Sequence, residues 1–456
     1  MSISNNWMRD RRSLGKQSRY YPARGVLWLL VLPLLLTLLT LYVNTVQLMS
    51  PLYEGWKETA FYASIGTPPI YKKAEITYAM CVPPRNLIHA YAQGMMQSSE
   101  AEVTFCHVDE LSSKDKRFLS HVPNSRIVDL KDYIPEGNDM KFYQSYPCKI
   151  LCALAIEKRL VIVMDNDQLP LMSPISMVNE NIEQFQKTGW YLGHDTQNKQ
   201  HTIPDLIQSQ NFSDWATEAY GSKAYDNFLT RVKSSAMGRI NSGFAESSLF
   251  IIDKELKAGT VRVLQDIHND IEVAKMIYKA QYHDGDKDLF WMACFLTEED
   301  CSLNPWSMGT VGRALEGKYC EWIGYAITHF HPYETELHHP RLISIQGRIV
   351  RLGVDSNDFD KYYHHAPPLR NRQLDSDELN RNTTWTFSEP LLFEEQIERI
   401  EKGEYKSNLG SLQKVVDPEY EHRGIKLFYD VSKRRNTFAN QGREILRTLP
   451  DESESS

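Results

Sequence analysis

Short apolar runs alternate with longer amphipathic stretches from Ala74 onward. Ile76 to Val82, Val103 to Val108, Arg126 to Leu130 and Leu160 to Met164 read as strands. Pro84 to Ser98, a polar stretch opening at Ser112, and Lys149 to Ile156 read as the helices between them. The run Leu160-Val161-Ile162-Val163-Met164 is apolar throughout, as suits a parallel strand covered on both faces. Strands that alternate with helices predict an α/β fold with a mainly parallel sheet. Leu249 to Ile252 is a further strand, and one helix is predicted over Val261 to Gln281. From about Asp355 the chain turns polar, with a charged helix over Phe393 to Lys402 and a disordered tail over Asp451 to Ser456. No internal repeat is visible.

The N-terminal pattern is different. From Gly25 to Tyr53 no residue is charged, and the core from Val26 to Val43 is long enough for a bilayer, which needs roughly 20 apolar residues. Arg9, Arg11, Arg12, Lys16, Arg19 and Arg24 precede it, opposed by Asp10 alone. The positive-inside rule therefore predicts a cytosolic N-terminus and a luminal remainder. A cleaved signal peptide would have a shorter apolar core and a small-residue cleavage site, and no A-x-A pattern follows this one. The expected organisation is a cytosolic tail over 1–25, a signal anchor over 26–48, a stem over 49–73, a catalytic domain over 74–355 and a C-terminal extension over 356–456.

Composition is that of a globular protein, and the net charge of −8 carries no basic footprint of nucleic-acid binding. Seven cysteines follow the anchor: Cys81, Cys106, Cys148, Cys152, Cys294, Cys301 and Cys320. A luminal compartment permits disulfides, and one pair is expected among the last three; the rest of the connectivity is open. Asn211-Phe212-Ser213 and Asn382-Thr383-Thr384 are N-glycosylation sequons.

Two acidic motifs carry the chemistry. Asp165-Asn166-Asp167 directly follows the apolar strand. In an open α/β sheet ligands bind beyond the carboxyl ends of the strands, and two carboxylates there can hold a divalent cation together with a diphosphate. Alone such a triplet is a weak signal, because acidic residues after strands are common. The second motif is Gly285-Asp286-Lys287-Asp288-Leu289-Phe290-Trp291. Asp286 and Asp288 can serve a sugar or metal, Lys287 can meet phosphate as a point charge, and Phe290 and Trp291 suit the core. Between the motifs, Asn241 to Ser248 is small and polar before an apolar strand. Further on, His329, His331, His338 and His339 offer imidazoles that can complete a metal site.

The order Tyr146-Pro147-Cys148-Lys149, the strand with Asp165-Asn166-Asp167, Glu246-Ser247-Ser248 with its strand and Asp253-Lys254, the Gly285 to Trp291 motif, and Gly309-Thr310-Val311-Gly312 resembles the fungal-type Golgi α-mannosyltransferases of glycosyltransferase family 71. The resemblance spans roughly Ile76 to Ile345. It implies a GT-A-like nucleotide-sugar fold and a type II Golgi membrane enzyme that transfers mannose from GDP-mannose to a mannose-containing glycan. It also implies a divalent cation, Mn2+ in the first instance, and net retention of the α configuration. By residue, it implies Asp165 and Asp167 as metal and donor ligands, Lys149 and Lys287 at the donor phosphates, Glu246 and Asp286 at the transferred sugar or acceptor, and His338 as a further metal ligand. Ser248 departs from the family's usual glycine, and Asn166 from alanine or serine, a change expected to be harmless. The histidine segment departs more, and the extension after about Asp355 has no counterpart. Two other readings stand beside this one: a transferase using a UDP-sugar, and a non-catalytic, membrane-anchored glycan-binding paralogue.

Overall fold

A computed structural model describes residues 71–144, 147–194, 203–235, 245–280, 288–315, 319–337, 340–347, 350–351, 385–388, 390–402, 413–414 and 418–450. The expected anchor and most of the stem, Tyr146, Asn241 to Phe244, Gly285 to Lys287, His338, His339, Asn382 and the tail lie outside these residues. Among the described residues no helix is long and apolar enough to cross a membrane.

The strands, in chain order, are β1 (Ile76–Cys81), β2 (Glu102–His107), β3 (Ser125–Asp129), β4 (Leu160–Met164), β5 (Gln168–Pro170) and β6 (Trp190–His194). They continue with β7 (Ala245–Asp253), β8 (Gly309–Leu315), β9 (Tyr319–Phe330), β10 (Leu342–Gln346), β11 (Trp385–Phe387) and β12 (Gln413–Lys414). One sheet runs β3-β2-β1-β4-β7-β6. Its first four strands are parallel, whereas β7 is antiparallel to β4 and to β6. The predicted α/β class with a mainly parallel central sheet is what forms. The second sheet, β11-β8-β9-β10-β5 with β12 against β9, is antiparallel.

Alternation along the central strands explains the layering. Tyr78, Phe105, Leu160, Ile162 and Ile251 face one apolar core, while Ala79, Cys106, Val161, Val163, Phe250 and Ile252 face another. The period of two sends successive side chains to opposite faces, so both faces need a cover. The helix Leu87–Gln97 covers one of them closely: a Cβ on Gly94 would come within 2.6 Å of Phe105 Cζ. The helix Ser113–Leu119 begins where Ser112 accepts the Asp115 amide and Asp115 answers to the Ser112 amide, a reciprocal cap that satisfies two orphan donors. On the other face the helix Pro147–Ala155 is tied to the sheet by Cys81–Cys148 and Cys106–Cys152. A third disulfide, Cys294–Cys301, is the pair expected among the last three cysteines.

The single helix predicted over Val261 to Gln281 is instead two, Ala258–Asn269 and Ile271–Ala280. Asp270 breaks it. Its backbone is extended, and its carboxylate accepts from the amides of Glu272 and Val273, starting a new helix in place of continuing the old one.

The C-terminal part of the chain builds onto this core. The helix Pro418–Thr448 runs along the helix Leu87–Gln97; Phe428 enters the core under the second sheet, and Ile445 and Leu446 pack against the first. At their crossing Gly442 is required by space, since a Cβ would stand 2.7 Å from Tyr91 Cδ1.

Candidate active site

The Asp165–Asp167 loop leaves the carboxyl end of β4, where the parallel strands present their ligand-binding edge. Each aspartate has a cationic neighbour. Lys149 reaches from the helix Pro147–Ala155, placing Nζ 2.8 Å from Asp165 Oδ1. The same ammonium donates to Ser247 O at 3.1 Å and to Ser247 Oγ at 3.3 Å, so it bridges the loop and β7. Gln346 at the end of β10 donates to Asp165 Oδ2 at 3.0 Å. Arg351 places Nε 2.8 Å from Asp167 Oδ2. Asp167 is buried and Arg351 exposed, so the pair spans the boundary between core and solvent.

The backbone of the loop is equally determined. The Asp165 amide donates to Ser248 O at 2.9 Å, and the Gln168 amide to Asp165 O at 3.0 Å. Asn166, expected to be neutral at this position, uses its side chain: Nδ2 donates to Cys81 O at 2.7 Å and joins the loop to the end of β1. Alanine there would leave that carbonyl without its donor.

Beside the loop, β7 carries Glu246, Ser247 and Ser248 directly after its first residue, all buried. Glu246 Oε1 accepts the Ser248 amide at 2.6 Å. His329 from β9 lies against them, its Nε2 3.2 Å from Ser248 Oγ. A Cβ on Gly193 of β6 would stand 3.5 Å from both Glu246 Cβ and His329 Nδ1, so the glycine lets the acid and the imidazole share one wall. The serine in place of the family's usual glycine is therefore a partner for His329. Gln168, just past the aspartates, is fully buried, and among the described residues neither polar atom of its side chain has a hydrogen-bond partner. Such an orphan normally finds water or a ligand.

The structure separates several predicted roles. Asp288 serves architecture: its Oδ1 accepts Trp291 Nε1 at 2.7 Å and the Ala245 amide at 3.3 Å, fixing the start of β7. Phe290 and Trp291 are fully buried, as expected, with the Phe290 ring 4.0 Å from that of Phe250. Asp286 and Lys287 lie outside the described residues. Asp253 and Lys254 stand at the opposite end of the sheet, since Asp253 pairs with Leu160 at the start of β4. Asp253 is held by Tyr71 and Arg159, and Lys254 caps the carbonyls of Ala153, Leu154 and Ile156. That stretch of the motif is structural. Asn211 is exposed at the start of the helix Gln210–Tyr220, while Phe212 beside it is buried.

Of the histidines, His329 reaches the site wall. His331 faces elsewhere, with Nε2 3.3 Å from both Asn181 Nδ2 and Arg341 Nη2, and burial lowers its pKa to about 4. His338 lies outside the described residues. Among the described residues no group of three histidine, cysteine, aspartate or glutamate side chains gathers as a metal cage. Two carboxylates at a strand end still fit a hard cation shared with a diphosphate, because Mg2+-type ions use one or two carboxylates and take the rest of their shell from phosphate and water. Gln346, Arg351 and the partner role of Asn166 were invisible in sequence. Each depends on a contact across the fold, and neither Gln346 nor Arg351 lies in a motif.

A family described as "Mannosyltransferase putative" matches residues 86–331, which is more than half of the chain. No curated protein matches the chain. Among solved structures, the galactosyltransferase LgtC in complex with donor and acceptor sugar analogues is 10% identical over 47% of this chain and 69% of that one, with a TM-score of 0.27. Mouse xyloside xylosyltransferase 1, apo form, is 14% identical over 48% and 80%, with a TM-score of 0.27. The glycosyltransferase GlyE of Streptococcus pneumoniae TIGR4 is 8% identical over 46% and 44%, with a TM-score of 0.23. Scores this low say nothing of donor, metal or mechanism here. The family match over residues that include Lys149, Asp165, Asp167 and Glu246 does say what kind of protein this is: the chain belongs to that mannosyltransferase family and is a glycosyltransferase.

Proposed function

We propose that this glycosyltransferase moves mannose from GDP-mannose to a mannose-containing glycan, as a member of glycosyltransferase family 71. The observation that carries the reading is the meeting of Asp165, Asp167, Lys149 and Arg351 at the carboxyl end of β4, beside the wall of Glu246 and His329. Two oppositely charged pairs stand there at contact distance, Lys149 with Asp165 and Arg351 with Asp167, which suits a site that must hold both a cation and a diphosphate.

A divalent cation, Mn2+ in the first instance, would bind at Asp165 and Asp167 and supply Lewis-acid stabilisation to the departing diphosphate. The chain's own residues supply the rest. Lys149 and Arg351 now neutralise the two aspartates. In the loaded enzyme they are placed to turn toward phosphate oxygens, Lys149 as a point charge and Arg351 as a planar fork. Glu246 and Asp286 are assigned to the transferred sugar or the acceptor, Lys287 to phosphate and His338 to the metal. An α-linked donor and an α-linked product require net retention.

The anchor, Golgi residence and luminal orientation belong to the same proposal. The uncharged span after the N-terminal arginines supports them, as do three disulfides, which form in oxidising compartments, and the exposed Asn211 sequon. The test is a panel of nucleotide sugars offered to the purified protein with a mannose-containing acceptor, with Mn2+ and with excess chelator. Transfer from GDP-mannose that chelator abolishes and Mn2+ restores is expected. Transfer from a UDP-sugar alone would replace the donor, full activity in chelator would remove the metal, and binding of glycan without turnover on any donor would favour the non-catalytic paralogue.

A further inference from the structure

We propose that Arg435, in the helix Pro418–Thr448, is a positioning residue for the Asp165–Asp167 loop, so that the C-terminal helix is a working part of the active domain. The family match ends at residue 331, and the sequence shows no motif around Arg435. Its role comes from where its fork ends. The side chain is 1% exposed. Nη2 donates to Asn166 O, and Nη1 donates to Val350 O at 3.1 Å.

Those two carbonyls are not arbitrary. Asn166 O belongs to the peptide that joins Asn166 to Asp167, and fixing that plane fixes the direction in which the Asp167 side chain leaves the backbone. Val350 O belongs to the peptide that joins Val350 to Arg351, the residue paired with Asp167. One guanidinium therefore holds the two peptides that carry the two halves of an ion pair. A rigid planar fork can do this, whereas an ammonium on a flexible stem holds such a pair less well.

The surroundings make packing alone a poor account of a buried arginine here. His89 of the helix Leu87–Gln97 is held near about 3 by burial first and then by Arg435, Arg351 and Arg443, which makes it a neutral wall beside a cluster of positive charge. A buried guanidinium in such company is costly unless its hydrogen bonds offset it. The helix is also fixed against its neighbour at Gly442, which keeps the fork in register with the loop.

The test is amide hydrogen exchange on the full chain, comparing wild type with Arg435→Met, which keeps an unbranched apolar stem and removes the donors, and Arg435→Lys, which keeps charge and can reach one carbonyl. Arg447→Ala, in an exposed pair with Glu444 on the same helix, is the control. The reporters are the amides of Asp165, Gln168, Gly347 and Val350, each hydrogen-bonded in or beside the loop. Loss of hydrogen bonds from a charged donor should raise their exchange about tenfold to a hundredfold in Arg435→Met. Arg435→Lys should show a smaller rise at the same amides, while β2 and β3 exchange as in wild type. Wild-type exchange at the loop in either variant would overturn the proposal, and so would an even rise that includes β2 and β3. If Arg435→Met does not fold, the lysine variant decides alone on the same criteria. A second readout rests on the proposed reaction: in Arg435→Lys the Mn2+ and donor concentrations for half-maximal rate should rise while acceptor KM stays constant. Should wild type transfer no mannose, that reading fails, and the exchange result still stands or falls by itself.

Discussion

The central sheet and the antiparallel second sheet with its C-terminal helix divide the work differently. The central sheet carries the carboxylates. Lys149, Asp165, Asp167 and Glu246 all come from β4, β7 and the helix Pro147–Ala155, braced by Cys81–Cys148 and Cys106–Cys152. The second supplies what aims them: Gln346 on Asp165, Arg351 on Asp167, His329 on Ser248, and Arg435 on the loop itself. Charge for chemistry and geometry for chemistry thus come from chain segments far apart in sequence.

If that division is right, its largest consequence is at Asp167. Asp167→Ala should lower turnover by about a thousandfold, comparable to removing a preorganised electrostatic group in other active sites. Initial rates measure this, and a melting curve close to wild type shows that the loss is chemical. A variant that melts far lower would move Asp167 from the chemical half to the structural one.

The structural half is tested by Trp291→Ala. The indole is fully buried, and its Nε1 donates to Asp288. Removing it should cost about 3–5 kcal/mol of stability, read by denaturant unfolding. It should also free Asp288, whose second contact fixes the Ala245 amide, so some loss at Glu246 should follow from disorder of β7.

Acid should strain the same core. His268 lies between the rings of Tyr143 and Tyr278, and neither of its ring nitrogens has a hydrogen-bond partner among the described residues. Burial lowers its pKa from 6.5 to about 4. The unfolded chain therefore takes up the proton first as pH falls. The stability this group contributes is whole above about 6.5, declines between 6.5 and 4, and is level below. The loss is ~3 kcal/mol across that window. His268→Phe should remove that part of the slope in melting temperature against pH, and an unchanged slope would assign the acid sensitivity to other buried groups.

The same division explains what could be read from sequence. The parallel strands β1 to β4 fall within a residue of their predicted ends, because each is short and bounded by turns. β3, at the sheet edge, is only partly covered, but β1, β2 and β4 are buried on both faces, so their apolar pattern is complete in itself. Asp165 and Asp167 were legible for the same reason, standing at the end of such a strand. The break at Asp270 was not, because an uninterrupted apolar period hid one capping carboxylate. Nor was β9, where polar and apolar residues mix because its neighbours are supplied by β8, β10 and β12. Arg435 and Arg351 were illegible in a stronger sense. Nothing local distinguishes an arginine that will meet a loop across the fold from one that will meet water, and the expected boundary at 355 separated Arg435 from the site it touches.

The finest test of the comparison is Gln346→Leu. It leaves every charge at the site in place, keeps the side chain's volume nearly constant and deletes one hydrogen bond from the second sheet to Asp165 Oδ2. Asp165 is 29% exposed, so water can replace part of what is lost, and the expected cost is ~1 kcal/mol, less than for a fully buried charged acceptor. Lys149 still holds the other oxygen at 2.8 Å. The carboxylate should therefore swing and not leave. Half-maximal Mn2+ and donor concentrations should rise about fivefold, as that free energy requires, with kcat nearly constant. An equal fall in kcat would mean that the second sheet acts in the transition state itself and not only in aiming the ground-state site. No change in either parameter would mean that Lys149 alone fixes Asp165, and the aiming role would then contract to Arg351 and Arg435 on the other aspartate.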